Sequence, residues 1–341
     1  MQLPAPRGPL SQQVCEILAG RSSDQPSVAS LPRPVDQLID DDDFQLALWM
    51  LFELHYRGFD GVDPDLEWDP LLIHSRGRLE ACLEELLRDL TRDDVRRAKE
   101  TGGDFATRLI TLIDELDRGS LATFLQRRAS KEQFSDFMRQ RSIYHLKESD
   151  PQSFVLARID GPAKAALAEV QYDEYGAGDP DRLHAGLFAR ALDSLGLDST
   201  YGAYIDEASA STLAVNNVMS MFALRRRLRG ASLGHLAAFE ATSSAPCRRI
   251  VGGAERLGLP HAAAHYFDEH VEADAVHEQL AIRNICATLV EQDPRLEDDV
   301  LLGAASCLKM DQIAGAALTQ RWDVEQARPR VVREQRIGAN A

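Results

Sequence analysis

From Phe44 onward, apolar residues return every three or four positions. Leu46, Leu48, Leu51 and Leu54 form one such stripe, and Leu79, Leu83, Leu86, Leu87 and Leu90 another. A helix returns to the same face on that period, so these stretches predict amphipathic helices. The pattern continues over residues 106–125, 131–149, 161–175, 180–195, 201–228, 232–244, 245–257, 261–291 and 296–320. Gly and Pro mark the breaks: Pro151, Gly176, Gly178, Pro180, Gly230, Pro246, Gly258, Pro260 and Pro294. Asp179 and Ser232 are candidate caps for the helices that follow them. Alternating β-branched runs bounded by turn dipeptides do not occur, and the expected class is all-α.

Before this pattern, the first forty residues are punctuated by Pro4, Pro6, Pro9, Pro26, Pro32 and Pro34, and the acidic run Asp40 to Asp43 closes them. They read as a Pro/Asp-rich N-terminal arm over 1–40, with one short helix near 14–18. A helical section follows over 41–130, then a helical core over 131–325 and an exposed C-terminal tail over 326–341. The Gly pairs at 102–103 and 252–253 lack the flanking strand that a phosphate-binding loop requires.

The chain has 341 residues, 44% of them hydrophobic, enough for a large core. With 38 basic and 54 acidic side chains it carries a net charge of −16. That field argues against a general binder of nucleic acid or anionic membrane. Five scattered cysteines with no CxxC pair fit a reducing compartment and give no zinc or disulfide framework. No apolar run of 18 residues and no basic-then-apolar leader is present, so the expectation is a soluble cytoplasmic protein.

Candidate chemistry concentrates in His270-x3-Asp274-x2-His277. On a helix these steps return to nearly one face, which sets two imidazoles and a carboxylate side by side. Such a set holds first-row transition metals and leaves positions open for O2; the alternative is a solvated face among Asp268, Glu269, Glu272 and Glu278. Other segments place polar groups in apolar surroundings. Glu240 ends the run Leu236-Ala-Ala-Phe-Glu240, where a carboxylate is expensive to bury without a cation or a partner such as Arg248 or Arg249. His184 follows Leu183 and precedes Ala-Gly-Leu-Phe, which taken singly suits a hydrogen-bonded core histidine. Glu174 and Glu148 would each, alone, be surface glutamates.

Taken together, Glu148, Glu174, His184, Glu240, His270, Asp274 and His277 resemble the ligand pattern of the heme-oxygenase-like diiron oxidases and oxygenases, a group of iron-containing redox enzymes. The resemblance covers about residues 130–325. It is carried by the order Glu…His…Glu…His-x3-Asp-x2-His and by the segments Lys147-Glu148-Ser-Asp, Asp173-Glu174-Tyr-Gly and Gly234-His-Leu-Ala-Ala-Phe-Glu240. It implies a heme-oxygenase-like helical bundle, here with an additional N-terminal helical section, holding two Fe(II) ions and no heme. It also implies O2 as co-substrate and a small-molecule substrate, transformed by N-oxygenation of an amine or amino acid or by oxidative C–C cleavage. His184 with Glu174, Glu148 or both would serve one ion. His270, Asp274 and His277 would mostly serve the other, with Glu240 bridging or shared. Members differ in which early carboxylate binds iron, so Glu148, Glu174 and Asp181 remain alternatives.

Tyr144, Asn216, Asn217 and His235 are candidates to orient the imidazoles. Four arginines within residues 225–229 fit either a substrate carboxylate clamp or charge balance on the surface, the latter favoured. Glu53, His55, Arg57 and Glu67 read as packing features. A helical section without ligands of its own predicts a homodimer contact there. The competing classes are an acidic helical scaffold without enzymatic activity and an iron-storage protein. The latter would show paired Glu-x-x-His motifs, which the sequence lacks.

Overall fold

The computed structural model describes residues 1–22, 35–119 and 121–327, apart from the side chains of 35, 36, 272–276, 326 and 327. Its N-terminal section comprises α1 (Pro9–Leu18), α2 (Asp42–Glu53), α3 (Pro70–Glu100), α4 (Phe105–Leu116) and α5 (Leu121–Arg127). The section bearing the candidate ligands follows: α6 (Lys131–His145), α7 (Asp150–Leu156), α8 (Gly161–Glu174), α9 (His184–Ser194), α10 (Ala210–Leu224), α11 (Arg229–Ala241), α12 (Ser244–Arg256) and α13 (His261–Gln279). A π-helical stretch, Leu280–Ala287, then leads into α14 (Thr288–Gln292), and α15 (Glu297–Ala327) closes the described chain. No strand occurs among the described residues, and no helix among them is long and apolar enough to cross a membrane.

Local chemistry explains most of the helix starts. Asp41 accepts hydrogen bonds from the amides of Asp43 and Phe44, so the acidic run caps α2. Asp69 caps α3 ahead of Pro70, whose missing N–H costs nothing in a first turn. Ser130 and Gln133 form a capping box on α6. The suggested caps differ. Asp179 caps only the 3-10 turn Pro180–Arg182, and α9 starts at His184 without a side-chain cap. Ser232 is buried inside α11.

Several helices break where the periodic pattern ran on. Residues 106–125 divide between α4 and α5, α10 starts at Ala210 rather than 201, and the 261–291 stretch passes through the π segment. The break in 131–149 matters most: α6 stops at His145, and the chain turns through 146–149 with Ser149 left-handed at φ 64°. In a continuous helix the ring of Pro151 would collide with the carbonyl of Lys147, four residues back, so the break falls there. In the other direction, α1 reaches back to Pro9 and buries Leu10, Val14 and Leu18, and α15 runs past 320 with Trp322 buried. Trp322 stacks on Phe124 at 5.5 Å and donates to Asp136 at 2.6 Å. The tail at 328–341 lies outside the described residues.

The N-terminal helices share one apolar cluster with the rest of the molecule: Leu46, Phe52 and Leu83 join Leu213, Phe222, Leu302 and Met310. Helices α11 and α15 meet backbone to backbone. A Cβ at Gly234 would sit 1.9 Å from the Val300 carbonyl oxygen, and one at Gly303 the same distance from that of Ala231. Hydrogen side chains are the only ones that allow this approach. It draws α11, which carries Glu240, into the core.

Candidate metal centre

Four interruptions or ends of helices, and one continuous helix, deliver the polar groups. Glu148 lies in the turn after α6, Glu174 is the last residue of α8, His184 the first of α9, and Glu240 lies in the last turn of α11. His270 and His277 both project from α13. All six side chains are buried. The side chain of Asp274 lies outside the described residues, and Asp181 is exposed on the 3-10 turn before α9.

The donor atoms fall into two groups, within each of which every atom is within 4.8 Å of the others: Glu148, Glu174, His184 and His270 in one, Glu174, Glu240 and His277 in the other. Glu174 joins them. Its Oε2 is 3.0 Å from Nδ1 of His184, and its Oε1 is 3.6 Å from Nδ1 of His277. Glu240 Oε2 stands 3.4 Å from that same His277 nitrogen, and His270 Nε2 stands 3.7 Å from Glu148 Oε1. This departs from the division drawn above: His270 sits with His184 rather than with His277, and Glu174 rather than Glu240 is the shared carboxylate. Seven helical residues span about 10 Å along the axis, so one helix serves the two groups with one imidazole each. Both early glutamates reach the cluster, and Asp181 does not.

The electrostatics are those of a site built around cations. Burial raises the Glu148 carboxyl to about 7, the His270 imidazole pulling the other way. Burial also works to raise Glu174, but the imidazoles of His184, His270 and His277 outweigh it and bring the group to about 2. Against their own burial, His184 and His277 are lifted to about 9, chiefly by Glu174 and Glu240 respectively. Burial pushes Glu240 up. Glu148 Oε2, His184 Nδ1, His270 Nε2 and His277 Nδ1 are all buried without a hydrogen-bond partner. Orphaned donor atoms of this kind are costly, and without a cation the charge of Glu174 and Glu240 is balanced by protons held on His184 and His277. Divalent cations would engage the orphaned atoms and take the place of those protons, and the mixed nitrogen–oxygen set suits iron or manganese.

Further residues support the cluster, and spacing contained a signal for two of them. Tyr266, one helical turn before His270, donates from its hydroxyl to Glu148 Oε1 at 2.6 Å, and its backbone carbonyl lies 2.7 Å from Nδ1 of His270. His145, three residues before Glu148, sits 3.2 Å from that carboxylate and 2.8 Å from the Tyr266 hydroxyl; burial holds its imidazole well below the usual range. Asp173 Oδ2 lies 3.3 Å from Nε2 of His277 and fixes that ring. Of the suggested orienting residues, Tyr144 packs on His145 with centroids 5.2 Å apart, whereas Asn217 is committed to Gln45 of α2. The arginine run is engaged by the protein instead of a substrate: Arg225 meets Glu80 and Arg227 meets Glu84 at 2.8 Å, both on α3, and Arg229 meets Asp293 after α14.

A cavity of about 180 Å³ adjoins the first group. His145, Tyr266 and His270 line it, as do the exposed residues 117–119, and its other walls are largely apolar, with Met219, Phe239 and Leu308 among them. The cavity therefore reaches from the exposed stretch between α4 and α5 to His270.

The family model of iron-containing redox enzymes matches residues 135–312, just over half the chain and every residue of both donor groups. The chain belongs to that family. The chain is similar, at 31% identity over 146 residues, to the nitrosourea synthase of Streptomyces achromogenes subsp. streptozoticus; the match covers 43% of this chain and 31% of that protein. In fold it is similar to a CADD-like protein of unknown function from Nostoc punctiforme, with a TM-score of 0.51 and 20% identity over 63% of this chain and 97% of the other. A second structure of the Nostoc protein gives 0.50 and 18% over 66% and 98%. The all-α, heme-oxygenase-like bundle expected from the sequence is the fold observed.

Proposed function

We propose that this family member is an O2-dependent nonheme diiron oxygenase that oxidises an amine nitrogen of a small metabolite. The observation that carries the reading is the pair of buried donor groups sharing Glu174. Glu148, Glu174, His184 and His270 would hold one ion, and Glu174, Glu240 and His277 the other, with Asp274 placed by its motif to join His277. Bound iron would supply the electrons that activate O2. The chain itself lines the cavity with Phe239, Met219 and Tyr266, fixes the carboxylate of Glu148 through the Tyr266 hydroxyl, and orients His277 through Asp173. The cavity beside His270 would receive the substrate. Nitrogen is favoured over carbon as the atom oxidised by the similarity to an enzyme named for a nitrosourea, a product with an oxidised nitrogen.

The test is to load metal-free protein with Fe(II) under anaerobic conditions, admit O2, and survey amines and amino acids. Expected are two irons per chain and O2 uptake that accelerates with one substrate, whose product gains oxygen on nitrogen. Loading that never exceeds one iron per chain defeats the diiron reading, and oxidation confined to carbon defeats the choice of nitrogen.

A further inference from the structure

The turn that carries Glu148 is held from outside the family-matched residues. Lys147 and Glu148 are adjacent but their side chains part: Glu148 joins the donor group, and Lys147 enters the N-terminal section. There its Nζ donates to Glu53 Oε2 at 2.9 Å, with the two side chains 2% and 0% exposed. The ammonium also lies 4.0 Å from the ring centre of Tyr56 and 5.7 Å from that of Trp49. Tyr201 donates to both oxygens of Glu53 at 2.8 Å. Arg57, four residues after Glu53, stacks on Tyr201 at 4.3 Å and donates to the carbonyl of Leu146 at 3.0 Å; its guanidinium is 3.7 Å from Asp150. On the core side, the amide of Gln171 donates to the carbonyl of Ser149 at 2.9 Å, and the Tyr144 hydroxyl accepts from the Ser149 N–H at 3.4 Å.

We propose that Glu53 and Arg57 are positioning residues for Glu148, so that the N-terminal section completes the metal centre from a distance. This rests on the metal-centre reading above. The physical argument is one of cost and strain. Lys147 cannot leave its partner, because an unpaired ammonium in that apolar pocket is prohibitive. Its backbone is therefore pinned. With Leu146 and Asp150 held by Arg57, residues 146–150 keep the bend that includes left-handed Ser149, a conformation a serine does not adopt unforced. Glu148 is left a single direction, toward His270 and Glu174.

The experiment is anaerobic titration of the full metal-free chain with Co(II), followed by its visible absorption, with thermal melting in parallel. Compared are wild type, Glu53→Gln, the apolar pair Glu53→Leu with Lys147→Met, and Glu53→Gln in a Glu148→Ala background. Wild type should bind two Co(II) ions. Glu53→Gln should weaken one ion tenfold or more and leave the other within twofold. The apolar pair should melt higher than Glu53→Gln yet still bind one ion weakly, since charge burial is relieved and the turn is not. In the Glu148→Ala background, Glu53→Gln should add nothing, because it acts through that carboxylate. Wild-type isotherms for Glu53→Gln despite a lowered melting temperature overturn the proposal, as does full additivity with Glu148→Ala. A wild-type chain that takes up no Co(II) overturns the metal-centre reading and this inference with it.

Discussion

Replacing Glu174 with Gln tests the architecture of the centre most directly, because the amide keeps the shape and removes only the charge. Two unit charges about 4 Å apart attract by roughly 4 kcal/mol at an effective dielectric near 20, so a divalent ion loses on the order of 8 kcal/mol of attraction when this carboxylate is neutralised. Much of that is offset, since an amide costs less to bury and still offers an oxygen. If only about a third survives, each ion is weakened by roughly 2.7 kcal/mol, about a hundredfold in affinity. The distinguishing feature is that both ions suffer, since Glu174 faces His184 with one oxygen and His277 with the other. His270→Ala, by contrast, should weaken one ion and spare the second. Competition of Fe(II) or Co(II) against a chelator, read under anaerobic conditions, measures both constants. A Glu174→Gln protein that loses one ion and holds the other at wild-type strength would refute the shared-carboxylate reasoning.

Other consequences are open to measurement. His184 and His277, lifted to about 9, are protonated in the metal-free protein at neutral pH. Metal binding should release protons, and affinity should climb with pH until about 9; titration in buffers of differing ionisation enthalpy checks both. The same raised values stabilise the metal-free fold fully below about 6.5, and that contribution fades as pH rises through about 9. The metal-free melting temperature should therefore fall across that window while the loaded protein's does not; an unchanged metal-free melt would count against the imidazolium pairs. Tyr266→Phe removes the hydroxyl that donates to Glu148 at 2.6 Å, and should weaken one ion about 10–100-fold, as loss of an outer partner generally does, leaving the His277 side within twofold. Gly234→Ala forces a Cβ onto the Val300 carbonyl and should destabilise the fold by about 3 kcal/mol or more in urea unfolding; a change under about 0.5 kcal/mol would show that α11 and α15 can separate cheaply.

The sequence by itself determined the all-α class, because helical periodicity is a local signal; the six side chains that converge were named through the family resemblance, Glu148 and Glu174 each reading alone as a surface group. The sequence also held the reason for the crucial turn, Pro151, though the periodic stripe read straight through it to Ser149. What only the tertiary structure decided is which donors share a neighbourhood. Glu174 and His184 are separated by a break whose path has no helical phase, so spacing left Glu148, Glu174 and Asp181 equivalent; packing buried the first two and left Asp181 in solvent. His270 and His277 share a helical face, yet two turns of rise send them to different groups, a distance that a motif written as letters does not display. The N-terminal helices read as a separate section because their pattern is complete in itself. Folding placed Glu53 against Lys147 across 94 residues of chain, since a buried ammonium takes the carboxylate that three dimensions bring to it, and no local rule records that encounter.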